Sequence, residues 1–254
     1  MFLNKRVSFF FDILCILLNL SWKGTEIQTV TVSFFQFDSY ISRIWAFVQM
    51  AFARLYLSQV QNLKFYKLFG TGSDEGFTFK LNPLTNTGVY AILGVWTHED
   101  DARNGILTSK IFSKYRGWAK QSWTIFLKPI SVRGSWSGKL PFAAQTDEHK
   151  GPVVALTRAT IKLTTLMKFW GKVPSVQDMI GTDKNVIFKI GLGEVPGLQQ
   201  VTFSVWPNQS AMDAFARNNG AHAEAIKSVR TGDWFSEELY ARFKIIDESG
   251  TWGS

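Results

Sequence analysis

An internal duplication is the feature of this sequence that most restricts its fold. Each half begins with a strand-like segment and a helical segment, followed by two strands of which the second ends in a tryptophan, Trp96 or Trp206. An amphipathic helix and an aromatic-rich strand then close each half. The order β-α-β-β-α-β therefore occurs twice, which is typical of a duplicated ferredoxin-like unit.

The two copies have nearly equal spacing, since Lys67 follows Val30 by 37 positions and Lys189 follows Val154 by 35, which places the two lysines at equivalent positions. The first strand, first helix and closing strand are predicted at Thr29–Phe37, Ser42–Leu57 and Trp123–Leu127, and again at Val153–Ile161, Thr165–Lys172 and Leu239–Phe243. We therefore predict an α+β fold of two fused ferredoxin-like units, of the dimeric α+β barrel type. Residues 28–142 form the first unit and residues 152–252 the second. Packed sheet to sheet with helices outside, the units would leave a cavity at the mouth.

The composition indicates a compact protein without disulfides. The chain has 254 residues, 46% of them hydrophobic, and is long enough to bury a sizeable core. Its single cysteine, Cys15, cannot form an intrachain disulfide, and nothing argues for an oxidising compartment. We therefore expect a cytoplasmic protein, either free or peripheral at the inner face of the membrane.

The first 27 residues differ from the rest of the chain. Lys5 and Arg6 precede an apolar run from Val7 to Leu20 that is interrupted by Asp12. This run is short for a membrane span, and a central carboxylate is costly inside a bilayer. Three interpretations remain open: a membrane-surface anchor, an uncleaved or cryptic signal, and an extension from too early a start codon. We expect residues 1–27 to lie outside the fold.

Positive charge is concentrated in the middle of the chain. Between Asp100 and Ser175 there are 13 lysines and arginines but 4 acidic residues. Four of these cations are predicted to share one helix: Lys110, Lys114, Arg116 and Lys120. They form either a solvated helix face or a docking surface for an acidic protein or an anionic membrane. No RNA-binding aromatic motif or helix-turn-helix pattern accompanies the charge, so we do not expect a nucleic-acid partner.

Most catalytic signatures are absent from the sequence. The last gap of the glycine-rich segment Gly70–Gly76 is one residue too long for a dinucleotide fingerprint, and the segment precedes no helix. Gly134–Gly138 has serines on either side of the position that a nucleophile elbow requires. The three histidines are too far apart in sequence to suggest a zinc site. The sequence assigns no catalytic residue.

His222 is the histidine with a candidate role. At helical spacing it shares a face with Ile226 and Val229, whereas His98 and His149 lie in polar segments. The small neighbours of His222 leave room for a flat macrocycle. Two interpretations remain open: a buried core histidine that is satisfied by the protein, and a proximal haem ligand.

Several blocks of the sequence, in order, resemble the spheroidene monooxygenase family of carotenoid ketolases, over about residues 28–252. The most extensive blocks are Phe65–Gly72, Arg133–Gly138, Leu156–Thr160, Phe188–Pro196, His222–Ile226 and Glu237–Phe243. The resemblance implies oxidation of an acyclic carotenoid by O₂ at the second carbon, through hydroxylation to a ketone. It also implies haem b and reduced ferredoxin as the electron donor.

If haem is bound, His222 is the expected iron ligand, because Cys15 lies in the extension. Arg158, within an otherwise apolar strand, and Lys189 are candidate contacts for the haem propionates. Two alternatives to the monooxygenase remain open. One is a haem-dependent dehydratase or peroxidase-like enzyme on the same scaffold. The other is a protein that binds haem or a lipophile without catalysis.

Overall fold

Eight antiparallel strands form a closed barrel in the computed structural model, which describes residues 28–71, 88–145, 149–171, 185–217 and 231–253. The order around the barrel is β1-β3-β2-β6-β7-β5-β8-β4. The strands are β1 (Thr29–Gln36), β2 (Leu63–Gly70), β3 (Val89–Trp96), β4 (Gln121–Gly134), β5 (Val153–Ile161), β6 (Phe188–Val195), β7 (Gln199–Trp206) and β8 (Phe235–Gly250).

Helices pack against the outside of this barrel. They are α1 (Tyr40–Leu57), α2 (Glu99–Thr108), α3 (Lys110–Trp118) and α4 (Gln209–Arg217). Helix α1 begins two residues before its predicted start because the side chain of Ser39 caps it, accepting a hydrogen bond from the Ser42 amide at 3.1 Å. The helix predicted at Thr165–Lys172 is observed at 166–171, after a 3₁₀ turn, and its last predicted residue lies outside the described residues.

The two halves repeat the same strand order, β4-β1-β3-β2 and β8-β5-β7-β6. The predicted α+β class is confirmed, and the inner faces of the two half-sheets contact each other across the barrel interior. The half-sheets also join edge to edge, by a long pairing of β4 with β8 and a pairing of β2 with β6 at Gly70 and Gly193. Edge pairing satisfies the backbone groups that two separate sheets would leave exposed.

Alternate residues of each strand fill the barrel interior. Phe34 is one of them, with its ring centroid 5.3 Å from that of Phe203 and 5.6 Å from that of Trp123. Other buried interior residues include Val32, Leu93, Leu127, Leu156, Leu192 and Phe243. This even alternation follows from the period of two along a strand.

In the first half, two helices follow Trp96 where one was predicted. A single helix would place Ile111 about half a turn around the axis from Ala102, yet both residues are buried against the sheet. The extended backbone of Ser109 (φ −70°, ψ 137°) separates α2 from α3, so the buried side of α3 can face the sheet independently of α2. Lys120 lies beyond the end of α3, so only three of the four cations predicted on one helix share it.

Candidate functional site

The outer face of the second half of the barrel is the candidate functional site, because it lacks large side chains that fill the first half. The halves can be aligned by register, since Thr29 pairs with Trp96 and Val153 with Trp206. On this alignment small or polar residues replace large ones: Phe35 becomes Ala159, Leu68 becomes Gly191, Tyr90 becomes Gln200 and Ile92 becomes Thr202. A flat group could occupy the space that these replacements leave.

Helix α4 covers one end of this outer face. Phe215 packs on Trp206 with 5.1 Å between ring centroids, and Met212 is buried beside them. An ion pair of 3.1 Å between Asp213 and Arg242 of β8 also holds the helix. Residues 172–184 and 218–230, which include His222, lie outside the described residues.

Lys189 and Arg158 lie on opposite faces of the second half-sheet. Lys189 is half-buried on the outer face, next to Ser204, whereas Arg158 lies inside the barrel beside Val201. One flat group on one face cannot contact both. The predicted equivalence of Lys67 and Lys189 is also wrong, because Lys67 aligns with Ile190 and points inwards. A shift of one residue reverses the face of a strand side chain.

A charged cluster surrounds Trp136 at the end of the barrel where β4 ends and β8 begins. The indole Nε1 donates to Glu194 Oε2 at 2.8 Å, and Glu194 forms an ion pair with Lys67. The Lys67 ammonium lies 5.6 Å from the centroid of the indole ring, and the Arg158 guanidinium lies 5.7 Å from it. Arg158 forms a second ion pair, with Glu237. Trp136 is fully buried, so the cluster closes this end of the core.

The turn after β4 positions the donors for Glu237. Ser137 (φ 54°) and Gly138 (φ 71°) form a two-residue turn between Trp136 and Lys139. Their amides donate to the Glu237 carboxylate at 2.9 and 2.7 Å. Gly134 (φ 93°) is required at the start of the turn, because a Cβ there would lie only 2.1 Å from the Glu238 carbonyl oxygen.

Glu237 remains ionised at neutral pH. Burial alone would raise its pKa, but hydrogen bonds from Gly138, Ser135, Ser137 and Arg158 outweigh burial and lower the pKa to about 2. A general acid or base needs a pKa near the working pH. The carboxylate is therefore suited to holding the Arg158 guanidinium and the turn, and not to proton transfer.

The partner of Arg158 accounts for a charge within an apolar strand. The residue is 1% exposed, and its Nη1 donates to Glu237. Its Nε and Nη2 atoms have no hydrogen-bond partner within the part of the chain that the structure describes. An interior guanidinium that is only partly satisfied depends strongly on its one carboxylate.

Sequence reasoning missed Trp136, Glu194 and Glu237 as members of one cluster. A signal was present, because these residues and their two cations each lie in a different block of the family resemblance. The blocks do not show that they meet in space. Of the two described histidines, His98 is exposed at the start of α2, and a ring nitrogen of His149 lies 3.0 Å from the Pro152 carbonyl oxygen.

Three known proteins are similar to this chain over most of its length, although no protein-family profile matches it. Spheroidene monooxygenase of Cereibacter sphaeroides is 44% identical over 227 residues, which cover 89% of this chain and 69% of the relative. The Rhodobacter capsulatus protein of the same name is 41% identical, with 87% and 92% covered. That of Rubrivivax gelatinosus is 33% identical, with 83% and 80% covered.

Among solved structures, two of aldoxime dehydratases are similar in fold. One has a TM-score of 0.58 and 9% identity, covering 88% of this chain and 83% of the dehydratase. The other, OxdRE in complex with butyraldoxime, has a TM-score of 0.57 and 11% identity, with 88% and 81% covered. At such low identity the likeness shows a shared fold alone.

Proposed function

The chain belongs to the spheroidene monooxygenase family, and we propose that it oxidises an acyclic, spheroidene-like carotenoid with O₂. One observation carries this proposal: identity of 33–44% to three spheroidene monooxygenases over more than four fifths of the chain. The repeated strand order supports the further inference that the barrel consists of two fused ferredoxin-like units.

In detail, the proposed reaction takes place at the second carbon and gives a ketone through an alcohol. Each of the two oxidations consumes one O₂ and two electrons, for which we propose reduced ferredoxin as the donor. Amino-acid side chains do not activate O₂, so a cofactor is required. We propose haem b, which would supply O₂ activation when bound.

The outer face of the second half fits such a flat cofactor. Its strands present small residues, including Ala159 and Gly191, where the first half has the bulky side chains of Phe35 and Leu68. We propose His222 as the iron ligand and Lys189 as a propionate contact on this face. Arg158 lies on the other face, where the Glu237 carboxylate binds it, so we assign it to the barrel end instead.

Purified protein should convert the carotenoid in two stages when haem, O₂ and reduced ferredoxin are supplied. The alcohol should appear first and carry ¹⁸O from ¹⁸O₂. The final ketone should have gained one oxygen and lost two hydrogens, with absorption shifted to the red because the carbonyl extends the conjugation. Mass spectrometry and absorption of the extracted pigment provide the measurement.

Two controls and one outcome distinguish the alternatives. Without O₂, or without the reduced donor, neither the alcohol nor the ketone should form. A dehydratase would need no net electrons and would release water from its substrate, and this alternative has a shared fold as its support. Unchanged pigment with haem-loaded, reduced protein would overturn the carotenoid proposal and favour a non-catalytic binding protein.

A further inference from the structure

Helix α1 presents an apolar face to solvent along its whole length. Ser42, Ala46, Ala53 and Leu57 form its buried side. The opposite side carries large apolar residues with exposed fractions from 42% to 70%. Six of them follow helical spacing along this side: Ile41, Ile44, Phe47, Val48, Phe52 and Leu55. We call these six residues the α1 face.

Such a face is unusual, since the solvent side of a surface helix normally carries polar residues. Contiguous exposed apolar surface of this kind marks a site of interaction with another molecule or with a membrane. Among the described residues, none of the helices combines the length and the hydropathy needed to cross a bilayer. The α1 face is therefore suited to lying flat against another surface.

Cations and aromatic residues border the α1 face. At 100° per residue, Arg54 lies on one flank of the helix and Tyr56 on the other. The Lys114 ammonium of α3 lies 5.2 Å from the Tyr56 ring centroid. Beside it, Trp118 is 45% exposed and stacks on Trp45 with 5.4 Å between ring centroids. Neither α1 nor α3 contains an acidic residue.

We propose that the α1 face docks on an anionic phospholipid bilayer, with the helix axis parallel to the surface. Apolar side chains would enter the acyl boundary, while Arg54 and Lys114 would contact the headgroups. Tryptophan and tyrosine at the border suit the interfacial layer. The membrane contact is inferred from the surface alone. Its purpose, the uptake of a carotenoid from lipid, rests on the proposed function.

The same surface is a poorer fit to proteins. A two-fold pairing of two α1 faces would bring Arg54 and Lys114 close to other cations, with no acidic residue on either helix to offset them. An acidic protein surface would match the cations. It would not provide apolar contacts for the six apolar residues of the α1 face.

Flotation of the purified full chain with vesicles tests the proposal. The protein should bind phosphatidylcholine vesicles, and bind more tightly when phosphatidylglycerol is included. A variant with Ile44→Gln, Phe47→Gln, Phe52→Gln and Leu55→Gln should bind both vesicles at least about tenfold more weakly. The matched control replaces Leu140, Leu163 and Ile187 by Gln. These residues are 62–76% exposed on other surfaces, and the control should bind normally.

A charge variant tests the border separately. Arg54→Gln with Lys114→Gln should weaken binding to the anionic vesicles by about tenfold or more, and leave binding to pure phosphatidylcholine nearly unchanged. Circular dichroism should show an unchanged fold in every variant, because the replaced residues are exposed.

Three outcomes would overturn the proposal. The first is no binding to either vesicle, and the second is undiminished binding by the four-glutamine variant, which would assign the contact to another segment such as residues 1–27. The third is dissociation of a dimer by that variant in light scattering, which would make the α1 face a contact between copies. Vesicle binding is measured without substrate, and turnover can be measured in detergent micelles. The proposal can therefore fail without the proposed function failing, and the reverse.

Discussion

Replacing Glu237 by Gln should lower the free energy of unfolding by about 3 to 5 kcal/mol, because a buried cation then loses its carboxylate. The Arg158 guanidinium is fully buried, and two of its nitrogen atoms already lack hydrogen-bond partners among the described residues. The variant would also weaken the hydrogen bonds that hold the turn at Ser137 and Gly138. Urea denaturation of the two proteins provides the measurement.

Asp247→Asn is the matched control. Asp247 also pairs with an arginine across a long stretch of sequence, at 2.6 Å from Arg103, but both side chains are more than two fifths exposed. Exposed pairs contribute about 1 kcal/mol or less. The control should therefore change stability little. If the two variants lose similar amounts of stability, the burial of Arg158 does not explain the loss in Glu237→Gln.

The same pair should make stability depend on pH in the acid range. The pKa of Glu237 falls from its ordinary value of 4.5 to about 2 in the folded state. A lowered pKa stabilises the protein above the unfolded value, and this contribution is lost as pH falls from about 4.5 towards 2. Its size is about 3 kcal/mol. The Glu237→Gln variant lacks this contribution, so the two stabilities should converge as the pH falls.

The sequence predicts the repeated order of elements but not the length of the closing strands. The predicted end of the first closing strand, Leu127, lies two residues before Pro129, and a proline is normally excluded from the interior of a strand. In the structure the pairing shifts register between Pro129 and Ser131, and β4 continues to Gly134. That extension provides the long seam with β8, so a local irregularity decides how the barrel closes.

The site was less predictable than the fold because it depends on register and on distant partners. The lysines Lys67 and Lys189 look equivalent by spacing, yet they point to opposite faces because the halves differ by one residue. Arg158 could be identified as a buried charge from its apolar strand. Its partner, Glu237, is 79 residues away in sequence, and only closure of the barrel brings the two together.

The small residues of the second outer face also became informative only through register. Ala159, Gln200 and Thr202 are unremarkable in sequence. Aligned with Phe35, Tyr90 and Ile92, they show that one half has large side chains beneath its helices where the other has small or polar ones. These replacements are the reason why we propose the cofactor site on the second of two halves that share a strand order.

His222→Ala should abolish haem binding by the second half while leaving the protein folded. Three features lead to this expectation: the face that His222 is predicted to share with Ile226 and Val229, the small residues of the second outer face, and the oxidation that the family performs, which needs a cofactor. Titration with haem should give a Soret band in the unaltered chain and none in the variant.

A second readout is independent of absorption. A ligand that binds the folded state raises its stability, so haem should raise the melting temperature of the unaltered chain and not that of His222→Ala. His98→Ala and His149→Ala are the controls, since these histidines lie in polar segments, and both should keep the Soret band and the thermal shift. If His222→Ala keeps them, or if His98→Ala loses them, His222 is not the iron ligand. The small residues of β5, β6 and β7 would then need another occupant.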